Sequence, residues 1–315
     1  MHESLRRDLE RADYPFDSHW YGNAGIRQHY LDEGHGEPVL MLHGNPTWSY
    51  YWRHLVSDLR DSFRCIVPDH IGMGLSDRPS PTSYPYSAVR RLEDLEKLME
   101  HLVTEQGAPR NGWTLVLHDW GGAIGTAWAR RHPDRVRRLV LLNTAGFAWP
   151  SDYRLPSYLR MIRDHPAAAA FVARTNAFAR GAARWGVAEP LPQQVREAYL
   201  LPYRTPARRL AITRFIQDIP LQPSDPAWPL VAGSAEEWAV LRDLPALIGW
   251  GERDPVFTLK VLREWRRRLP QAHVHRFPRA GHYVLEDAKD DLLPAIRSFL
   301  TSPPSVAPPT ADTAG

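Results

Sequence analysis

The segment LVLHDWGGAIG (115–125) places a carboxylate where a strand is predicted to turn sharply into a helix. Asp119 stands at the apex of the turn, and Gly121 and Gly122 allow the chain to fold back tightly. In many hydrolytic enzymes such a turn carries a serine, which attacks acyl carbon. A serine that attacked an sp3 carbon would be left as a stable ether, whereas a carboxylate forms an ester that water can cleave. Asp119 therefore indicates an alkylating substrate: an alkyl halide, an epoxide or a strained ring.

Two further side chains at predicted strand ends could serve the same reaction. Asp254 follows the predicted strand 245–251, and His282 follows the predicted strand 272–278. Because ligands bind beyond the carboxyl ends of parallel strands, we expect both side chains to lie near Asp119. His282 would be the base for a water molecule, and Asp254 would orient the imidazole. Nucleophile, acid and histidine follow one another in the chain order of an α/β-hydrolase triad.

Each of these residues also has a structural alternative. Asp119 could be a helix N-cap, and Asp254 could be a turn residue before Pro255. Glu252 is a neighbouring candidate acid, although its place directly after the strand suits a loop residue better. These side chains and the segment HGNP (43–46) all follow predicted strands, at the same edge of the sheet. This shared position favours the catalytic interpretation. Four other histidines are predicted to be structural or exposed rather than catalytic: His43, His70, His118 and His132.

Short apolar runs alternate with helical patterns through much of the chain. This alternation predicts an α/β fold with a mostly parallel sheet flanked by helices, and the triad order indicates the α/β-hydrolase fold. Strands are predicted at 27–34 (an edge strand), 38–44, 64–70, 114–118, 137–144, 245–251 and 272–278. Helices are predicted at 50–60, at 87–103, from 121 up to Pro133, at 258–269 and within 284–300.

The alternation is interrupted in the second half of the chain by Ala-rich and Arg-rich helical segments that prolines separate. We interpret this interruption as a helical cap at 149–230, inserted into the α/β core. The first part of the core is then 1–148 and the second part is 231–300. The remaining residues, 301–315, are rich in Pro, Thr and Ala and are predicted to form a disordered tail.

The composition excludes several classes of protein. The 315 residues are 43% hydrophobic and 24% charged, as in ordinary globular proteins. The net charge is only +3 and the arginines are dispersed, so no nucleic-acid partner is expected. No segment approaches the ~18 continuous apolar residues of a membrane span, and no secretory signal is apparent. The single cysteine, Cys65, favours a cytoplasmic protein. No metal-ligand spacing or phosphate-binding loop occurs, so neither a metal nor a cofactor is expected.

The sequence resembles the haloalkane dehalogenases of the α/β-hydrolase superfamily over roughly residues 20–300. The segments HGNPTWSYYWR, PDHIGMGLSDRP and HDWGG carry this resemblance. It implies that Asp119 is the nucleophile and that Asn45 and Trp120 donate N–H groups to the leaving halide. Both side chains have N–H donors, so an anion site formed by them is chemically sensible.

The resemblance also bears on the triad acid. Many relatives place a glutamate after the strand equivalent to 137–142, where this chain has Asn143 and Thr144. The acid should therefore be Asp254. An aspartate nucleophile, an aspartate acid and an Asn/Trp donor pair together resemble the third subgroup of the family.

Three segments are more similar to the β-lactone decarboxylases of bacterial long-chain olefin biosynthesis: CIVPDHIGMGLSDRP (65–79), NAFARGAA (176–183) and RFIQDIPL (214–221). This similarity implies that a cis-3,4-dialkyl oxetan-2-one is converted to a cis-alkene and CO2. Asp119 would attack the strained ring, either at the alkyl carbon or at the carbonyl. The similarity also implies a hydrophobic small-molecule substrate and an assembly with the olefin-pathway enzymes that make the lactone.

A long-chain lactone would need a long apolar tunnel. The cap offers five aromatic side chains that could line such a tunnel, and packing within the cap is the alternative role for each. They are Phe171, Phe178, Trp185, Phe215 and Trp228.

Three other functions compete with decarboxylation. Haloalkane dehalogenation is the main alternative, because it would use the same catalytic residues. An epoxide hydrolase would need cap tyrosines to protonate the epoxide oxygen, with Tyr199 and Tyr203 as candidates, but Asn45 stands where those enzymes usually have an aromatic residue. A non-catalytic ligand receptor is disfavoured by the intact nucleophile, acid and base.

Overall fold

An eight-stranded sheet forms the centre of the computed structural model, which describes residues 9–303. The strands are β1 (His19–Asn23), β2 (Ile26–Glu33), β3 (Glu37–Leu42), β4 (Phe63–Pro68), β5 (Trp113–Asp119), β6 (Val136–Thr144), β7 (Ala246–Gly251) and β8 (His273–Phe277). Their spatial order is β1-β2-β4-β3-β5-β6-β7-β8. β3 to β8 run parallel to one another, and β2 runs antiparallel to both β1 and β4.

Thirteen α-helices follow or connect these strands within residues 9–303, apart from the helical residues 9 and 10. They are α1 (Arg53–Leu59), α2 (Ala88–Glu105), α3 (Trp120–Arg131), α4 (Ser157–Asp164), α5 (Pro166–Thr175), α6 (Ala177–Trp185), α7 (Gln193–Leu200), α8 (Leu210–Gln217), α9 (Trp228–Val231), α10 (Ala235–Arg242), α11 (Leu259–Arg268), α12 (Val284–Asp287) and α13 (Lys289–Thr301). The mostly parallel sheet flanked by helices confirms the predicted α/β-hydrolase fold.

The prediction of an edge strand at 27–34 is wrong in one respect. A strand does form there, but β1 pairs with it, with His19 opposite Tyr30, and β1 takes the edge position. The five residues of β1 are only partly buried or exposed, so no apolar run marks them. β2 lies between two antiparallel neighbours, which explains why its central residues are buried.

The central strands are buried along nearly their whole length. All seven residues of β5 and all six of β7 are buried, as is β3 after its first residue. Helices cover parallel strands on both faces, so such strands have continuous apolar sequences. These apolar runs are the signal from which the strands were predicted.

Two predicted helices differ from the observed ones. The helix predicted at 50–60 begins as a 3-10 helix, Ser49–Trp52, before α1. The helix predicted within 284–300 is divided into α12 and α13 at Ala288, which has φ −132°. The Asp287 carboxylate at this break accepts hydrogen bonds from the backbone amides of Gly281 and Ala188.

Helices without strands connect β6 to β7, in the region predicted to be a cap. Within it, α4, α5 and α6 follow one another closely, and α8 packs against both α4 and α5. The exact domain boundaries stay a prediction. The disordered tail was predicted to begin at residue 301, but Thr301 is the last residue of α13. Residues 304–315 of the predicted tail lie outside the described residues.

Candidate active site

The turn between β5 and α3 holds Asp119 in a strained backbone conformation. Its φ of 53° and ψ of −125° are unusual for a residue with a side chain, and the register of β5 against β6 shifts at this point. Close packing enforces the turn. A Cβ on Gly121 would lie 2.0 Å from the carbonyl oxygen of Leu42, and a Cβ on Gly44 would lie 1.9 Å from Oδ1 of Asp119. Glycine at both positions therefore lets the end of β3 approach the turn.

The Asp119 carboxylate is buried at the turn. Its Oδ1 accepts a hydrogen bond from the backbone amide of Asn45 at 2.6 Å. Asp119 precedes α3, but its side chain makes no N-cap hydrogen bond, so the structural alternative for this residue does not describe its contacts. Burial raises the pKa of the Asp119 carboxyl, against the opposing effects of His282 and of the backbone amides of Asn45 and Trp120.

His282 lies between two carboxylates. Its Nδ1 is 2.7 Å from Oδ2 of Asp254, and its Nε2 is 3.6 Å from Oδ2 of Asp119. Burial alone would lower the pKa of the imidazole, but the charges of Asp254 and Asp119 hold that pKa above its ordinary value. The structure thus brings together the three side chains that the sequence predicted to act together.

Asp254 is oriented by several donors besides His282. Its Oδ1 accepts hydrogen bonds from the backbone amides of Val256 and Phe257, at 2.7 and 3.0 Å. Its Oδ2 accepts a hydrogen bond from Nδ2 of Asn143 at 3.0 Å. The neighbouring candidate, Glu252, forms an ion pair with Arg276 instead and does not line the cavity described below.

Asn143 is a residue whose role the sequence did not reveal. It lies at the end of β6 and is fully buried. Its Nδ2 also donates to the carbonyl of Gly251 at 2.9 Å, and its Oδ1 accepts from the amide of Gly251 at 2.8 Å. Asn143 thus joins the end of β6 to the end of β7 and to Asp254. The only signal in the sequence was an uncharged amide at the end of a predicted strand.

Asn45 and Trp120, the predicted anion donors, both line the cavity. Nδ2 of Asn45 donates to the carbonyl of Ile212 on α8 at 3.1 Å, and this amide nitrogen carries a second N–H. The Oδ1 atom of Asn45 is buried and has no hydrogen-bond partner among the described residues. The Trp120 ring packs against the ring of Phe215, with 5.2 Å between the ring centroids. The anion-binding role of both side chains stays a prediction.

A cavity of about 520 Å³ adjoins these groups. The sheet side contributes the four polar residues Asn45, Asp119, Asp254 and His282, and most of the remaining lining is apolar. The lining side chains from α4, α5 and α6 include Tyr158, Leu159, Met161, Ile162, Ala168, Phe171, Val172, Phe178 and Trp185. A cavity of this size and polarity suits a hydrophobic small molecule.

The predictions for the aromatic residues of the cap divide into two groups. Phe171, Phe178 and Trp185 line the cavity as predicted. Phe215 and Trp228 are not among its lining residues. Phe215 is fully buried, and its ring packs against Trp120 and His70 in the core. For these two residues the alternative, packing rather than lining, describes the structure.

The two tyrosines considered for an epoxide hydrolase do not line the cavity. The Tyr199 hydroxyl donates to the buried carboxylate of Glu286, and the Tyr203 hydroxyl donates to the carbonyl of Thr47 at 3.3 Å. Both hydroxyls therefore serve contacts between the cap and the core. This arrangement disfavours protonation of an epoxide by either residue.

The other histidines near the strand ends make structural contacts. His43 and His70 hydrogen-bond each other's backbone, and burial lowers the pKa of both imidazoles. His118 is fully buried and its Nε2 donates to the carbonyl of His282 at 3.0 Å. His132 is partly exposed beyond the end of α3. None of the four lines the cavity, in agreement with their predicted structural role.

A metal-binding cluster and a membrane-spanning helix are both absent from the described residues. Across residues 9–303, no cluster of three or more His, Cys, Asp or Glu side chains is arranged to bind a metal ion. In the same part of the chain, no helix has the length and apolar character needed to cross a bilayer.

The sheet order, the strained turn at Asp119 and the Asp254–His282 pair define the class of protein. The family model described as the alpha/beta hydrolase fold matches residues 37–289. The crystal structure of the haloalkane dehalogenase DatA from Agrobacterium tumefaciens C58 superposes with a TM-score of 0.79 at 25% identity, covering 92% of this chain and 98% of DatA. The chain belongs to the α/β-hydrolase family.

Within this family, the chain is similar to proteins named as decarboxylases and to proteins named as haloalkane dehalogenases. It is 44% identical over 294 residues to the cis-3-alkyl-4-alkyloxetan-2-one decarboxylase of Shewanella oneidensis, covering 93% of this chain and 91% of that protein. Identity to the decarboxylase of the same name from Xanthomonas campestris pv. campestris is 47% over 287 residues, covering 89% and 94%. Haloalkane dehalogenase 2 of Mycobacterium bovis is more distant, with 34% identity over 285 residues, covering 90% and 94%. These findings confirm the resemblance seen in the sequence motifs.

Proposed function

We propose that this chain is a β-lactone decarboxylase, which converts a cis-3-alkyl-4-alkyloxetan-2-one to a cis-alkene and CO2 in long-chain olefin biosynthesis. The observation that carries the proposal is the 44–47% identity to two proteins named for this activity, against 34% to a haloalkane dehalogenase. The carboxylate of Asp119 beside a mainly apolar cavity supports it, because a lactone with two alkyl chains needs both.

In the first step, Asp119 opens the ring. Oδ1 is held by the Asn45 amide, so Oδ2 is the oxygen that attacks ring carbon C4. An ester bond forms between Oδ2 and C4 while the ring C4–O bond breaks, and its electron pair stays on the released carboxylate. The second N–H of the Asn45 amide and the Trp120 indole N–H are the donors that stabilise this new charge.

In the second step, the ester fragments. The bond between C3 and the carboxylate breaks, its electron pair forms the C3=C4 double bond, and CO2 leaves. The C4–O bond to Asp119 breaks at the same time and regenerates the Asp119 carboxylate. Attack with inversion at C4 followed by anti elimination preserves the cis geometry. The cycle consumes neither water nor a proton.

His282 and Asp254 have a different part in this proposal from the one they have in a hydrolase. Asp254 fixes the imidazole, and its charge and that of Asp119 raise the pKa of His282. In its protonated form, His282 stabilises the Asp119 carboxylate before the ester forms and after it breaks. The same pair is also able to activate water against an alkyl-aspartyl ester. For that reason haloalkane dehalogenation is the second candidate function.

One experiment separates the two candidates. Purified protein is given a cis-3,4-dialkyl β-lactone and, in parallel, a 1-iodoalkane, with alkene measured by gas chromatography and iodide by ion chromatography. We expect rapid alkene formation and little iodide. Rapid iodide release with intact lactone would replace the proposal by haloalkane dehalogenation.

Two further features belong to the proposal. The lactone must be supplied by the olefin-pathway enzymes that make it, and we include an assembly with those enzymes in the proposal. The single cysteine, Cys65, is buried, and burial raises the pKa of its thiol. A chain without a disulfide framework suits a cytoplasmic location, which we include as well.

A further inference from the structure

The cap exposes a group of large apolar side chains around the opening of the cavity. Tyr158 and Met161 on α4, Phe171 on α5 and Trp185 on α6 have exposed fractions of 43, 52, 62 and 75%. All four also line the cavity, and we call them the mouth residues. Among residues 9–303, the other exposed large hydrophobic side chains are Trp20 and Val240. Exposed apolar surface is therefore concentrated at the mouth, and such a patch indicates an interaction site.

The same three helices carry a strong positive charge. Residues 157–185 contain five arginines and one acidic residue, a net charge of +4, although the whole chain has a net charge of only +3. The single acid, Asp164, is paired with Arg163. The other four arginines are exposed, and none forms an ion pair with another residue of the described part. They are Arg160, Arg174, Arg180 and Arg184.

The arginines lie beside the mouth residues along the helices. Arg174 follows Phe171 by three positions on α5, so the two side chains share a helix face. Arg184 directly precedes Trp185, and it follows the cavity-lining Gly181 by three positions on α6. Exposed aromatic and thioether groups bordered by arginines have the composition of a surface that lies in a lipid interface.

We propose that this face of the cap docks on an anionic bilayer surface, with the cavity mouth directed toward the lipid. The mouth residues would be buried at the level of the headgroups and upper acyl chains. The arginines would contact lipid phosphates, with their aliphatic stems lying along the apolar surface. The unpaired positive charge selects a negatively charged surface over a neutral one.

Docking would also give the cavity direct access to its substrate, an extension that rests on the proposed function. A lactone with two alkyl chains partitions into lipid, and so does the alkene. An apolar mouth in contact with lipid lets both molecules pass between bilayer and cavity without entering water. The docking itself requires no catalysis, so it can be tested in the absence of any lactone.

The test is flotation of the full chain with vesicles of phosphatidylcholine alone or with 30% phosphatidylglycerol. We expect binding to the anionic vesicles that weakens as salt is raised, and little binding to the neutral ones. In Arg174→Gln/Arg184→Gln, the partition coefficient should fall roughly 10- to 30-fold, since each basic residue near an anionic surface contributes about a factor of five. The control Arg11→Gln/Arg242→Gln loses the same charge from exposed arginines outside the cap, and should fall less than about twofold.

A second pair of variants tests the apolar part. Phe171→Ser/Trp185→Ser should lose most of the binding, and Trp185→Phe should keep most of it. Circular dichroism of each variant verifies the fold. The proposal is overturned if anionic vesicles do not bind the wild-type chain, or if the cap and control arginine variants lose binding equally. Self-association through the cap in place of vesicle binding, seen by sedimentation, would overturn it as well.

Discussion

At the scale of single residues, the site places the imidazole of His282 between the carboxylates of Asp119 and Asp254. Oδ1 of Asp119 accepts the Asn45 amide, and His282 lies between Oδ2 of Asp119 and Oδ2 of Asp254. In a hydrolase, the imidazole must be neutral to take a proton from water. In the proposed decarboxylation no water reacts, so the protonated imidazole is the useful form. The chemistry of His282 therefore distinguishes the two reactions.

Because of this difference, iodide release should depend on His282 more strongly than alkene formation does. In His282→Ala, turnover of a 1-iodoalkane should fall by about 10²–10⁴, the usual contribution of a general base. Alkene formation from the lactone should fall less, because its cycle needs no activated water. The measurement is the ratio of iodide to alkene, with His132→Ala as the control. An equal loss of both activities would contradict the assigned role.

The pH dependence follows from the raised pKa of His282. Because the carboxylates of Asp254 and Asp119 keep the imidazole protonated to a higher pH than usual, any iodide release should rise as the pH is raised through this pKa. Alkene formation requires ionised Asp119, whose pKa burial raises, so it should decline toward acidic pH. The ratio of iodide to alkene should increase with pH, and a constant ratio would show that one protonation state serves both reactions.

At the scale of elements, close contacts between strand ends and helix ends position the site. β3 approaches the turn between β5 and α3 at Gly44 and Gly121, and Asn143 joins β6 to β7. The cap is tied to the core by a buried group in which Arg53 pairs with Glu286 and the Tyr199 hydroxyl donates to the same carboxylate. Glu286 lies four residues after His282, so this group also supports the histidine loop.

The packing at Gly44 predicts the effect of one added methyl group. In Gly44→Ala the new Cβ would meet Oδ1 of Asp119 at 1.9 Å, so the carboxylate or the turn must move. We expect nearly complete loss of alkene formation, measured at substrate saturation. Gly22→Ala is the matched control, because a Cβ there has no atom within 4 Å. Normal activity of a folded Gly44→Ala protein would show that the position of Asp119 is not critical.

The buried ion pair predicts a large effect on stability. Glu286→Gln leaves the guanidinium of Arg53 buried without its charged partner, which should lower the free energy of unfolding by about 3–5 kcal/mol. Urea denaturation measures the change. Glu100→Gln removes a half-exposed carboxylate that pairs with Arg110 and Arg135 at the surface, and should change the stability little. A small effect of Glu286→Gln would mean that the cap does not depend on this group.

The pH dependence of the same pair has a definite sign. Although burial raises it, Arg53 holds the pKa of the Glu286 carboxyl below its ordinary value. The pair therefore stabilises the protein fully above the ordinary carboxyl pKa of about 4.3 and loses its effect as the pH falls through the lowered pKa. In Glu286→Gln this part of the acid dependence should be absent.

At the scale of the whole molecule, the sequence allowed the fold to be predicted because the parallel strands are buried on both faces. Their apolar runs, as in β3 and β5, are visible without any partner. The polar residues after those runs predicted which side chains meet, since parallel strands end at one edge of the sheet. β1 was not predicted because it has only five residues, which alternate between partly buried and exposed.

Other features escaped prediction because they depend on contacts between distant positions. Asn143 and Asp254 are 111 residues apart, and Arg53 and Glu286 are 233 residues apart, so no local pattern joins them. Phe215 and Trp228 are aromatic, as the lining of an apolar tunnel should be. Only the three-dimensional packing shows that Phe171 and Trp185 line the cavity and that these two do not. Sequence patterns describe which residue types can do chemistry, and the packing decides which of them face the cavity.

The proposed decarboxylation depends on Asp119, which would form a covalent ester with the substrate and then release it. The most direct measurement is alkene formation from a cis-3,4-dialkyl β-lactone by Asp119→Ala, compared with the wild-type chain after circular dichroism has verified the fold of both. The variant should form no alkene above the uncatalysed rate. Undiminished formation of cis-alkene by the variant would exclude Asp119 as the nucleophile, because the ring would then open without it.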